Sequence, residues 1–181
     1  MPMPMDPEPS TTGPARVHVR VQAHDFSLQD EVQALHAGDA RAGAVCSLVG
    51  LVRAPDAWPG AVPAHAAQAS GEHLEQTVLW LEHYPGMTES SIEAMGHAAL
   101  GRFGALAARV VHRIGPLRLG EQIVLVAVLA AHREAAFSAC AYLMDHLKTQ
   151  APFWKKEWRN GQASWVQAKS SDDDAAARWH A

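Results

Sequence analysis

Apolar residues near the start of the chain recur at every second position and then at every third or fourth. Val17, Val19 and Val21 alternate with His18 and Arg20 across Ala15 to Gln22, the period of a strand buried on one face. Ser27 then precedes Asp30 by three residues while Leu28, Val32 and Leu35 share one helical face, which predicts a short helix capped by Ser27. Gly43 to Arg53 contains Val45, Leu48, Val49, Leu51 and Val52, a nearly continuous apolar run that predicts a strand covered on both faces. Strand character returns over Thr77 to Tyr84, and Pro85-Gly86 turns the chain into a second helix. Thr88 is expected to cap that helix, Met87 and Ile92 to form a hydrophobic staple, and Met95, Ala99 and Phe103 to continue the buried stripe until Gly104.

Arg109 to Ile114 and Glu121 to Ala130 read as two further strands, joined through Gly115-Pro116 and a turn ending at Gly120. The longest helical pattern runs from about Arg133 to Thr149, with Phe137, Cys140, Ala141, Met144 and Leu147 on its apolar face and Pro152 barring continuation. Phe153 to Arg159 and Ala163 to Lys169 flank Asn160-Gly161, the strongest short-range signal for a β-hairpin. Helices and strands that alternate and then give way to a hairpin predict an α+β fold: a single domain with a mixed, largely antiparallel sheet, about three helices and a C-terminal β-hairpin.

The length of 181 residues suits one hydrophobic core. Residues 1–14, rich in Pro, Ser and Thr, read as a disordered tail without the character of a secretory signal, and the domain is expected to span 15–181. Within it, 54–76 is rich in Pro, Gly and Ala and reads as a long mobile loop. No apolar run is long enough to cross a membrane. A net charge of −4 and a pI near 6.2 argue against a general nucleic-acid binder, so any anion site must be local. Cys46 and Cys140 suggest neither a disulfide framework nor a zinc site and read as small buried hydrophobes, which favours a cytoplasmic protein. Eleven histidines form no metal motif, and the glycines form no nucleotide-binding signature, so no cofactor is expected.

Basic residues gather around the last helix and the segment leaving it: Arg133, Lys148, Lys155 and Lys156. Lys148 stands where a helix dipole alone favours a cation, so it reads either as a helix-end charge or as part of an anion site. Lys155 and Lys156 are adjacent in a strand and point to opposite faces, so only one of them can share a pocket with Lys148. His132 and Arg133 open a helix directly after an apolar strand, where a phosphate could bind, or where His132 merely caps the helix and Arg133 is surface charge. Arg53 ends an apolar strand and reads as an anion ligand or as a solvated charge. Among the tryptophans, Trp154 beside Lys155 is the one expected to border a site.

Several strings occur together and in order: Leu81-Glu82-His83-Tyr84-Pro85-Gly86-Met87-Thr88, His112-Arg113-Ile114-Gly115, Ala131-His132-Arg133 with Phe137, Met144-Asp145-His146-Leu147-Lys148-Thr149, and Ala151-Pro152-Phe153-Trp154-Lys155-Lys156-Glu157. From about Gly43 to Trp179 the chain resembles the large, catalytic subunit of molybdopterin synthase. The resemblance implies a sulfurtransferase that converts cyclic pyranopterin monophosphate to molybdopterin by inserting two sulfur atoms to form the dithiolene. The sulfur would come from a thiocarboxylate at the C-terminal Gly-Gly of a small ubiquitin-like carrier subunit. The large subunits would form a homodimer, a heterotetramer with two carriers, with both large subunits contributing to each site.

Carried over position by position, the resemblance makes Lys148 and Lys155 the catalytic lysines and Arg53, His132 and Arg133 the ligands of the substrate's phosphate and pterin. A lysine crowded by cations and partly desolvated yields a neutral amine more readily, which suits a base or nucleophile. Two features depart from the family pattern: the stretch 54–76 is longer and richer in Ala and Pro, and Lys169 stands where relatives often carry Arg. The competing reading is a docking module that binds a ubiquitin-like carrier or a phosphorylated pterin without turning it over.

Overall fold

The computed structural model of the chain describes residues 16–53, 79–159, 162–165 and 177–180. The expectations for the tail 1–14, for 54–76, for Asn160-Gly161 and for Lys169 fall outside them. The described residues form three α-helices and eight strands in an α+β arrangement. The strands divide between two sheets of four, a split that local periodicity could not reveal because it depends on which strands pair.

The first sheet has the order β1-β4-β6-β2, built from β1 (Arg16–Gln22), β2 (Ala44–Leu51), β4 (Ala107–Arg113) and β6 (Gln122–Ala130). β1 runs parallel to β4, and the other pairings are antiparallel. β6 is central and buried from Val124 to Ala130. The continuous apolar run of β2 was expected to lie under cover on both faces, but β2 is an edge strand, with Val45, Leu48 and Leu51 exposed by 38, 40 and 55 %. Apolar content alone cannot separate a central strand from an edge strand.

α1 (Leu28–His36) covers one face of this sheet, with Leu35 and Phe26 packed on Val111, Leu125 and Leu129. Ser27 caps it as expected, its Oγ accepting from Asp30 N–H at 3.2 Å. Buried Glu31 ties the helix to the sheet by accepting from Arg20 on β1 and Arg109 on β4. The other face carries α2 (Met87–Phe103) and α3 (Arg133–Gln150), whose Ile92, Ala99, Leu100, Ala136, Ala139 and Leu143 join Val110, Val126 and Val128 in the main core. A Cβ built on Gly96 would stand 2.5 Å from Val17 Cγ1, so α2 depends on a glycine there to approach β1 this closely.

Two local expectations change. The N-cap of α2 is Gly86, whose N–H donates to Glu89 Oε2 at 2.7 Å; Thr88 is fully buried inside the first turn, and Met87 is exposed and cannot staple the entry. On α3 the buried stripe runs through Ala136, Ala139, Cys140, Leu143, His146 and Leu147, while Phe137 is 62 % exposed. Gly104 ends α2 in the left-handed conformation, as its position suggested.

The second sheet has the order β5-β3-β7-β8, from β3 (Leu79–His83), β5 (Gly115–Leu117), β7 (Phe153–Arg159) and β8 (Gln162–Trp165), all antiparallel. The Gly115-Pro116 segment read as a connection is itself a short edge strand. β7 and β8 pair from Lys156↔Trp165 to Arg159↔Gln162. Leu79, Leu81, Leu117 and Val52 form a smaller core beneath this sheet.

Candidate active site

α3 starts directly after the central strand and packs back along it. Cys140, near its middle, lies 3.9 Å from the carbonyl of Val126, and Phe153, just beyond its end, stacks on His112, whose strand partner is Val124. The C-terminal end of α3 therefore lies at the Gln122 end of β6, which is also where β2 finishes, because Leu51 pairs with Gln122. Val52 is fixed there by bonds from its N–H to Glu121 O (2.9 Å) and from Gly120 N–H to its own carbonyl (2.8 Å), and Arg53 emerges exposed beyond it.

Lys148 occupies the last turn of α3 and is exposed. A tight turn follows, with Phe153 N–H donating to Ala151 O at 2.8 Å and Thr88 Oγ1 donating to Pro152 O at 3.2 Å while accepting from Tyr84 N–H at 3.1 Å. Thr88, expected as a helix cap, thus braces the turn between the two lysines. β7 then carries Lys155 opposite Leu81, and Lys156 opposite Trp80 and Trp165. Lys156 is engaged on its own face, 3.2 Å from Glu82 Oε1 and 4.0 Å above the Trp165 ring. Trp154 shares that face by strand alternation, so it does not accompany Lys155 as its adjacency suggested. Lys155 keeps 44 % of its side chain exposed, and the charge beside it is the carboxylate of Glu157 at 3.9 Å, where crowding by cations was expected.

His132 and Arg133 sit at the other end of the sheet. His132 is the N-cap of α3 by position, but its side chain makes no capping bond, so the simple capping role is not what it performs. Both residues are exposed and line a recess of about 420 Å³ with Gly43, Ala131 and Glu134. The first-turn N–H groups of a helix favour an anion at such a place. Gly43 is needed here: any Cβ would collide with the carbonyl oxygen of Ala131. From Arg133 to Lys148 is fifteen helical steps, roughly 22 Å at about 1.5 Å per residue. The residues that cluster in sequence are therefore split within one chain: Arg53, Lys148 and Lys155 toward one end, His132 and Arg133 at the other.

Sequence reasoning passed over several residues near Lys148. The His112 ring lies 3.8 Å from that of Phe153 at 18°, and its Nδ1 bonds to Arg113 O at 2.8 Å. Burial holds its pKa down at about 4, with nearby His83 adding to the effect. Asp145, one turn before Lys148, accepts from Arg178 at 2.6 Å and from the indole N–H of Trp179 at 2.8 Å, and Trp179 packs edge-on against Phe103 and Tyr142. The signal for both groups lay in the quoted strings, His112-Arg113-Ile114-Gly115 and Met144 to Thr149, but nothing in their spacing told which side chain does what. Cys46 and Cys140, distant in sequence, meet between β2 and α3 as free thiols; burial and the neighbouring Cys46 push the Cys140 thiol up to about 12, so it stays protonated.

Comparison with known proteins bears on the whole of this region. The family model described as "MoaE protein" matches residues 21–150. The molybdopterin synthase catalytic subunit of Ralstonia nicotianae is 44 % identical over 161 residues, covering 89 % of this chain and 83 % of that protein. The subunit of the same name from Vibrio cholerae is 45 % identical and covers 89 % and 97 %. The solved structure of molybdopterin cofactor biosynthesis protein E from Burkholderia multivorans superposes with a TM-score of 0.71 at 43 % identity, covering 92 % of this chain and 98 % of that one. With a match of this extent in sequence and in fold, the chain belongs to the MoaE protein family.

Proposed function

We propose that this chain is the catalytic subunit of a molybdopterin synthase, a cytoplasmic sulfurtransferase that moves sulfur from the C-terminal thiocarboxylate of a small ubiquitin-like carrier to cyclic pyranopterin monophosphate, forming the dithiolene. The observation that carries the reading is the placement of Lys148 and Lys155 on either side of one braced turn, in a chain whose relatives are named catalytic subunits. Once the thiocarboxylate sulfur has attacked a side-chain carbon of the substrate and displaced the oxygen bound there, which leaves protonated or as the freed phosphate oxygen, carrier and substrate are joined through an acyl-sulfur bond. Water must then add to the carbonyl carbon, leaving a carrier carboxylate and a sulfur on the pterin. Lys148 acts on the thiocarboxylate or on this joined intermediate, and Lys155 stabilises the oxyanion that forms at the carbonyl.

Neither lysine is desolvated by the chain itself, so the carrier tail supplies the exclusion of water when it docks. Arg53, His132 and Arg133 hold the substrate's phosphate and pterin, the bidentate guanidinium groups suiting the phosphate. Because His132 and Arg133 lie a helix length from Lys148, each complete site draws on two copies of the chain. A non-catalytic docking module would need the same carrier contacts but neither lysine. Lys148→Ala is expected to fold and bind thiocarboxylated carrier as wild type does while forming no dithiolene; wild-type turnover in that variant would refute the assignment. If the wild-type chain bound carrier and pterin without any loss of carrier sulfur, the docking reading would replace it.

A further inference from the structure

We infer that Thr88 is a positioning residue for the sulfur transfer: its hydroxyl, lodged between Tyr84 N–H and Pro152 O, sets where Lys155 stands relative to Lys148. The inference rests on the reading above that both lysines act at one carbonyl, and it adds the group that fixes their mutual placement.

The bonds around Thr88 are those of a ladder rung rebuilt with a side chain. β3 and β7 pair antiparallel from Leu79↔Glu157 to His83↔Phe153, and one further step in that register sets Tyr84 opposite Pro152. Pro152 has no N–H to offer, so a full rung cannot form there. Thr88 Oγ1 takes its place, accepting from Tyr84 N–H at 3.1 Å and donating to Pro152 O at 3.2 Å, while Thr88 N–H donates to Tyr84 O at 2.9 Å. Joining an N–H to a carbonyl through a single atom requires one that both accepts and donates, which a hydroxyl does and a methyl group does not. Thr88 is fully buried, so bulk water has no access to make the same bridge, and removing the hydroxyl leaves two backbone groups without it.

Pro152 divides the segment between the lysines. It lies four residues after Lys148 and three before Lys155, just past the end of α3 at Gln150. Lys148 is placed by α3, whose Leu143 and Leu147 are packed in the main core on the first sheet, and Lys155 is placed by the pairing of β7 with β3 in the second. The two lysines therefore ride on different layers, and the turn from Ala151 to Phe153 is the joint between them. Thr88 holds that joint from α2, which shares the main core with α3. Phe153 is also held by its stack on His112, at 3.8 Å between ring centroids, but stacked rings keep much of their attraction when one slides over the other. A hydrogen bond has a narrow range of length and angle, so the hydroxyl is the group that sets the register of the turn. Thr88 touches neither lysine. Its effect on the chemistry runs through Pro152, and a misplacement of about 1 Å between groups that act together can cost on the order of a hundredfold in rate.

The test gives full-length variants thiocarboxylated carrier and cyclic pyranopterin monophosphate. Thr88→Val keeps the branched shape and removes the hydroxyl, whereas Thr88→Ser keeps the hydroxyl. Thr88→Val is expected to lower kcat for dithiolene formation at least about tenfold, with carrier affinity and the KM for the pterin within about twofold of wild type, and Thr88→Ser to hold kcat within about threefold. Amide exchange at Tyr84 should quicken in Thr88→Val and stay slow in Thr88→Ser. If circular dichroism shows Thr88→Val unfolded, Thr88→Cys carries the same comparison, since it differs from Thr88→Ser only by a sulfur that donates and accepts weakly. Wild-type kcat in the folded Val or Cys variant, in a protein that Lys148→Ala inactivates, would overturn Thr88 as a positioning residue and leave the lysine assignment standing. Loss of carrier affinity in step with kcat would overturn it by showing a general loosening of the site, and a Ser variant as slow as Val would do so by tracing the effect to the methyl group. Wild-type turnover in Lys148→Ala would remove the lysine assignment and this inference together.

Discussion

Asp145 holds the guanidinium of Arg178 and the indole of Trp179 one turn before Lys148, and Arg102 lies over the Phe103, Tyr142 and Trp179 rings together. The last described residues of the chain thus clamp the helix turn that presents Lys148. Trp179→Ala removes aromatic packing and a hydrogen bond at a half-buried position and should cost about 2 kcal/mol of stability, read as a lower melting temperature. It should also lower the turnover of the folded protein more than its affinity for carrier. His112 offers a pH-dependent counterpart. Its pKa in the folded chain, about 4, lies below the ordinary histidine value of 6.5, because burial against Phe153 favours the neutral ring. The unfolded chain then binds more protons between those values, so stability is full above pH 6.5 and falls as the pH drops toward 4. Urea midpoints measured from pH 7 to pH 4 should fall accordingly, and His112→Phe, which keeps a ring on Phe153, should flatten the slope over that interval. The importance of the His112 string was legible in the sequence, but the stacking partner was not, since Phe153 lies on a different element.

At the scale of elements, the helices were read more securely than the strands. The Ser27 cap and the Gly104 stop act within a few residues of themselves, and both stand as expected. Thr88 and Phe137 fell the other way. Threonine before an apolar stripe suggests a cap, yet here its hydroxyl spans to Pro152, sixty-four residues on, a partner no local pattern announces. Phe137 has the spacing of a core residue but faces away from the sheet, and alanines at 136 and 139 take the buried positions because α3 lies close on β6 and β2. Close approach also governs α2 against β1. Gly96→Ala raises helix propensity but sets a methyl group on Val17, and the overpacking should win, for a net loss of about 1–2 kcal/mol in chemical denaturation. A gain in stability would show that β1 yields without cost.

For the whole molecule, the consequence that matters is the distance between the two ends of α3. Under the proposed function, a substrate held at both ends of α3 requires two copies of the chain. Stability should then depend on concentration: the melting temperature of the wild type should rise over a hundredfold increase in protein. The two sheets also separate tasks. The first, through β6 and α3, sets the span between recess and lysine end, and the second, through β3 and β7, places Lys155 on one face and commits Lys156 to Glu82 and Trp165 on the other.

By itself the sequence determined the α+β class, the order of the elements, the family, and the short roster of cations that includes Arg53, His132, Arg133, Lys148 and Lys155. These follow from periodicity, capping and ordered motifs, all of which act over neighbouring residues. Only the tertiary structure decided that β6 lies at the centre and β2 at the edge, that Thr88 braces the turn before Lys155, and that Arg133 and Lys148 stand at opposite ends of one helix. Each of those outcomes depends on which distant segments pair and pack, and an apolar run has the same composition at the centre of a sheet and at its edge.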